Sequence, residues 1–290
     1  MQILVAVAFL SLLGALLAAR VQDALQKAFA ARPALIFLAA LALSAIFWAI
    51  AAAMGAWNVP LALLILIYTM LPAACAFLIR RARPPVWADF AIILLLWLPL
   101  EFSIGERWTP RAAQGLLHMA AYGVSVTLGL AIFLLFRRLP GMKYNLPRRW
   151  RDAANLAIGF ALAAAILIPL GRAVGFLDPG HWPRRWASLG FQYLAILAAT
   201  ALPEEILFRG MIQNALMQRW GAKTPALLVA ALIFGCAHLD NGPGPLPNWR
   251  YMIVATLAGV IYGKVFEQSS SIFASAGLHA LVNTIKHSFF

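Results

Sequence analysis

Two adjacent carboxylates, two histidines and one asparagine stand in stretches that are otherwise apolar: Glu204 and Glu205, His238, His279, and Asn283. Ionisable groups are expensive in such surroundings and tend to be functional. Glu205 and Arg209 are four apart, on one helix face, with the acid first, the favourable order for an ion pair. A buried Arg needs such a partner, so Glu205 is expected to be neutralised and held by Arg209. Glu204 lies about 100° around the same helix and must find its partner on another segment, where His238 is the suitable kind of group. A carboxylate with poor solvation is pushed toward the range of a general base. His279 and Asn283, again four apart, can present donors to one point, the layout of an oxyanion hole.

Together these groups can hydrolyse a peptide bond without a nucleophilic side chain. Glu204 with His238 would activate water, His279 and Asn283 would hold the oxyanion, and Glu205 with Arg209 would fix the architecture behind them. Phe234, four before His238, would orient that helix face by packing. Each residue also has a purely structural reading. A Glu–Arg pair at this spacing is commonly architectural, a lone membrane His or Asn commonly bonds between helices, and His118, His181 and His287 are read as interfacial or packing residues. Glu204 resists that reading most.

The three groups form an ordered pattern: Glu204-Glu205-x-x-x-Arg209, then Phe234-x-x-x-His238, then His279-x-x-x-Asn283. This pattern resembles the three motifs of the CPBP family of intramembrane proteases, the CAAX-protease and bacteriocin-processing proteins, which include the type 2 CAAX prenyl endopeptidases. The resemblance covers roughly residues 187–288. It implies that Glu204 and His238 activate water and that His279 and Asn283 stabilise the oxyanion. It also implies a glutamate-type mechanism that needs no metal. A zinc-dependent version would draw on Glu204, His238 and His279 with one open position, although the His-Glu-x-x-His signature of zinc peptidases is missing. No cofactor is expected, and the metal-free reading is preferred.

The elements that must carry these residues are long apolar segments. A spanning helix needs about 20 mostly apolar residues. Candidates run over Ile3–Ala19, Ala34–Met54, Val59–Leu78, Phe90–Phe102, Leu116–Phe136, Leu156–Leu177, Ala187 to about Met217, Pro225–His238, Tyr251–Phe266 and Ile272–Phe290. The expected fold is thus an all-α integral membrane protein, a polytopic bundle of about 8–10 transmembrane helices. Ile3–Ala19 lacks a basic n-region and is expected to be a retained helix. The turn-rich basic stretch Arg137–Arg151, with Pro140, Gly141 and Pro147, suggests a division into residues 1–151, a helix set of unknown role, and 152–290, the catalytic part.

Composition agrees. Of 290 residues, 63% are hydrophobic and 11% charged, whereas a soluble domain is near 45–50% apolar and 25% charged. The net charge of +13 argues for no nucleic acid, because the Lys and Arg sit in short clusters between apolar runs, as in cytoplasmic loops: Arg20, Lys27 and Arg32; Arg80, Arg81 and Arg83; Arg137 to Arg151; Arg219 and Lys223. Arg172, Arg184 and Arg185 break that alternation. If every segment spans, both termini face away from the cytoplasm. Cys75 and Cys236 lie in apolar runs, so neither a disulfide framework nor a cysteine metal site is implied.

Other reaction classes fit less well. No Gly-x-Ser-Gly marks a serine nucleophile and no Gly-x-Gly-Asp an aspartyl one, and Cys236 lies two residues before His238, on another face. A proton-coupled transporter using Glu204, Glu205 and Arg209 as a relay is the alternative from another class, and an inert scaffold of the same fold is a third. The expected partners are membrane lipid and a peptide or protein substrate with a membrane-associated cleavage site. Alanine-rich, Arg-over-Lys composition points to a GC-rich bacterial source and so to the inner, cytoplasmic membrane. There the substrates would be C-terminal sorting signals, bacteriocin-like peptides or membrane regulators.

Overall fold

A computed structural model of the chain describes residues 1–80, 86–178, 187–242 and 246–290. Of the positions discussed above, Arg81, Arg83, His181, Arg184 and Arg185 lie outside the described residues. Among the described residues there are eleven helices and no strand. The chain divides into two compact units, Met1–Pro140 and Gly141–Phe290, and residues 143–149 pack on the second.

The first unit contains α1 (Gln2–Ala15), α2 (Ala19–Ala31), α3 (Leu35–Ala53), α4 (Val59–Leu78), α5 (Val86–Glu101) and α6 (Arg111–Phe136). The first helix ends at Ala15 rather than Ala19, and α2 leaves it at 82°. That second helix is amphipathic: it carries Arg20, Asp23 and Lys27, and its Phe29 packs edge-on against Phe136, with centroids 5.8 Å apart. An apolarity scan sees only α1 and passes over α2. Between α3 and α4 the hydroxyls of Ser44 and Thr69 bond at 2.7 Å in the core, which satisfies two buried polar groups with each other.

The second unit contains α7 (Trp150–Ala173), α8 (Ser188–Trp220), α9 (Lys223–Cys236), α10 (Trp249–Gln268) and α11 (Ile272–Phe289). Two stretches of α8, Leu197–Ala201 and Ile206–Gln213, are wound as π-helix on either side of Leu202–Glu205. Such widened turns recur at functional sites, and here they bracket both glutamates. Glycine lets α9 and α10 approach closely. A Cβ on Gly235 would lie 1.9 Å from Thr256 Oγ1 and 2.7 Å from the Met252 carbonyl oxygen.

The α10–α11 corner is fastened by the segment before α7. Lys143 Nζ donates to the Phe266 carbonyl at 2.6 Å and the Ile272 amide donates to the Lys143 carbonyl at 3.0 Å. The Ser271 hydroxyl donates to the Asn145 carbonyl and also accepts from the Phe273 amide at 3.1 Å, capping α11. Asp152 accepts from the amides of Arg148, Arg149 and Ser270 and from the Ser270 hydroxyl.

By length and apolarity, α3, α4, α6, α7 and α8 qualify as membrane spans, and the bent pair α1–α2 makes a sixth if taken as one. About eight to ten were expected. The difference has a physical cause. Helices α5 and α9, at 16 and 14 residues, are short for a bilayer crossing. Helix α10 carries Arg250, Lys264 and Glu267, and α11 carries His279, Asn283, Lys286 and His287. These polar side chains lower the apolarity of the helices that bear them. The architecture is consistent with a multi-pass integral membrane protein.

Candidate active site

A polar row at four-residue spacing, Glu205, Arg209 and Gln213, runs along α8 and is buried. The expected ion pair forms: Arg209 Nε lies 3.3 Å from Glu205 Oε2 with both side chains at most 1% exposed. Arg209 Nη2 also donates to the Gly259 carbonyl at 3.2 Å, and Gln213 Nε2 to the Gly263 carbonyl at 3.2 Å. The two rows match, four residues apart on each helix. A Cβ on Gly263 would lie 2.5 Å from Gln213 Oε1, so glycine there opens the backbone to the glutamine. The guanidinium further sits 4.6 Å from the Phe234 ring centroid, a cation–π contact. Phe234 thus anchors Arg209 as well as orienting its own helix.

The second oxygen of Glu205 reaches α11: Oε1 lies 3.2 Å from His279 Nδ1. A carboxylate opposite Arg only accepts, so Nδ1 carries the proton and, in the neutral ring, Nε2 is the acceptor. Nε2 lies 3.8 Å from Glu204 Oε2. His279 therefore stands between the two carboxylates. The sequence expectation, with Glu205 held by Arg209 and His238 as the partner for Glu204, did not include this bridging position of His279. The imidazole is fixed by a stacked contact with Tyr262, centroids 4.7 Å apart at 22°, and an edge contact with Phe234 at 5.7 Å.

His238 follows the end of α9. Its Nδ1 lies 2.8 Å from the Phe234 carbonyl, which can only accept, so Nδ1 is again the protonated nitrogen and Nε2 keeps its lone pair. The ring packs between Phe234 and Tyr251, at centroid distances of 4.7 and 4.6 Å. Asn283, one turn past His279, is half-buried and its amide makes no hydrogen bond to a described residue. His238, His279 and Asn283 line one open cavity of about 70 Å³ with Phe234, Tyr251 and Tyr262. Its remaining walls are mostly apolar residues of α7, α10 and α11.

Sequence reasoning passed over Gln213, Tyr251 and Tyr262. Spacing held a signal for each. Gln213 continues the Glu205–Arg209 row, and Tyr251 and Tyr262 are eleven apart, which returns to the same face after three turns within about 20°. His118 is exposed on α6 in the first unit, and His287 is exposed on α11. Among the described residues no three His, Cys, Asp or Glu side chains are placed to hold a metal ion.

Comparisons with curated proteins and with solved structures give no match. A family model does match, over about a third of the chain, and the matched stretch contains Glu204, Glu205, Arg209, Phe234, His238, His279 and Asn283. Residues 186–285 match the Rce1-like family, described as type II CAAX prenyl endopeptidase, and that match implies an intramembrane protease.

Proposed function

We propose that the second unit hydrolyses a peptide bond of a membrane-associated peptide or protein, using a water activated by Glu204 and His238. The observation that carries this reading is the shared cavity. His238, His279 and Asn283 all line it, and Glu204 stands behind His279 at 3.8 Å.

In this reading the base removes a proton from water, and the hydroxide attacks the scissile carbonyl. Asn283 Nδ2 donates to the oxyanion that forms. His279, one turn before Asn283, borders the same space. Collapse of the tetrahedral intermediate breaks the C–N bond, and the stored proton leaves with the amine. Glu205 and Arg209 act on the position of His279, holding its Nδ1 in the donor state. The apolar walls suit an apolar segment beside the scissile bond, in keeping with the lipid-modified peptides that the matched family's name denotes.

The test is direct. The full chain in lipid nanodiscs would be incubated with a panel of membrane-anchored peptides, and cleavage read by mass spectrometry. Wild-type protein is expected to release a defined fragment that Glu204→Gln does not. Release by both proteins, or by neither across the panel, would overturn the proposal.

A further inference from the structure

Just outside the matched stretch, the cavity holds a cation with no counter-ion among the described residues. Lys286 lies three residues past Asn283 on α11, and its side chain lines the same cavity. Its Nζ sits 4.4 Å from the Tyr251 ring centroid and 4.6 Å from that of Phe176. It forms no ion pair among the described residues. Two further cations stand close by. Arg172 lies over Phe290, another lining residue, at 5.9 Å, and Arg250 donates to the Gly175 carbonyl, next to Phe176, at 3.3 Å. Neither pairs with a described carboxylate, and Asp178 and Asp240 pair with none of the three.

This arrangement differs from the treatment of Arg209 in the same unit. Arg209 is fully buried and neutralised by Glu205. Lys286 is held by two aromatic faces, which attract an ammonium without discharging it and leave its N–H donors for another acceptor. An ammonium in a largely apolar cavity is costly unless it meets an anion. That anion must enter the space bordered by His279 and Asn283, so it belongs to whatever occupies the catalytic cavity.

We infer that Lys286 is a specificity-determining residue that receives a substrate carboxylate, the free C-terminus of the chain being cut. The inference rests on the proteolytic reading above. Its geometry is consistent with a short leaving fragment. Three residues along a helix rise about 4.5 Å and an extended peptide advances about 3.3 Å per residue, so the carboxylate lies about one or two residues beyond the scissile bond. Chains that continue past that point would leave Lys286 unpaired and be disfavoured.

Binding tests this separately from cleavage. A dye-labelled Ala-Leu-Ala-Leu peptide, as free acid and as C-terminal amide, would be titrated against the full chain in phosphatidylcholine nanodiscs and followed by anisotropy. The acid is expected to bind about tenfold more tightly than the amide, the scale of one charge-assisted contact. Lys286→Gln should erase the preference and Lys286→Arg should keep it. Equal binding of acid and amide, binding of neither, or a preference that survives in Lys286→Gln overturns the inference. So does loss of the preference in phosphatidylglycerol nanodiscs, which would assign Lys286 to a lipid phosphate instead. A chain that prefers the acid but cleaves no peptide would leave the carboxylate site standing and remove the proteolytic reading.

Discussion

Nδ1 of His279 lies 3.2 Å from Oε1 of Glu205, although the two residues are 74 positions apart in the chain. This contact ties α8 to α11 and sets which imidazole nitrogen is free to work. Since Arg209 holds the other oxygen of the same carboxylate, one side chain both balances a buried charge and aims a histidine.

Glu205→Gln keeps the shape and removes the charge. It should lower stability by about 3–5 kcal/mol, the usual penalty for leaving one member of a buried pair alone, and should depress turnover through the loosened His279. The double variant Glu205→Gln/Arg209→Gln should regain part of the stability. Thermal unfolding in nanodiscs reads both. Unchanged melting of Glu205→Gln would refute the pairing role.

Glu204 is different, because its side chain is 21% exposed and stands apart from the Arg209 pair. Glu204→Gln and His238→Ala should each abolish cleavage while melting near the wild-type temperature. A Glu204→Gln protein that retains turnover would show that the water is activated elsewhere.

Asn283→Ala should reduce kcat by roughly a hundred- to a thousandfold with little change in KM, because its donor serves charge that develops only in the transition state. Asn283→Asp, similar in size but an acceptor at neutral pH, should be as slow. Steady-state kinetics on a cleaved peptide decide this, and wild-type turnover in Asn283→Asp would end the donor role.

Gly235 tests the seat of His238. A methyl there meets Thr256 and the Met252 backbone, and overpacking of this kind costs about 1–3 kcal/mol. Gly235→Ala should therefore melt lower and turn over more slowly. Thr256→Ala in the same protein removes the nearest obstacle and should restore part of both. Gly235→Ala with unchanged melting and rate would show that α9 and α10 are less tightly seated.

Much of this was readable before any coordinates. Glu205 and Arg209 meet because four residues along a helix return to one face, which spacing alone reveals. The apolar runs located α3, α4, α6, α7 and α8 for the same kind of reason. What spacing could not reveal is which helix His279 would face. The contact to Glu205, instead of a place beside Asn283 alone, depends on the crossing of α8 with α11 and on the π-helical turns that rotate α8 around its glutamates. Helix α2 escaped because a surface helix with one polar face looks like a basic loop to an apolarity scan. Tyr262 escaped because an aromatic residue on an apolar helix reads as ordinary core until its ring is found 4.7 Å from an imidazole.

The corner between α10 and α11 changes what counts as a part of this protein. Residues 186–285 carry the inherited signature, but that stretch lacks its own hinge pin. Lys143, Asn145 and Asp152, all upstream of it, hold the turn from which α11 departs. Gly159 of α7 lets the same upstream region nestle so closely that a Cβ there would lie 2.7 Å from both Val265 and Leu278. The matched stretch is therefore smaller than the compact unit that contains it. A gene trimmed to the matched stretch would encode these side chains without the upstream residues that hold the turn before α11, and the compact unit that includes both begins at Gly141.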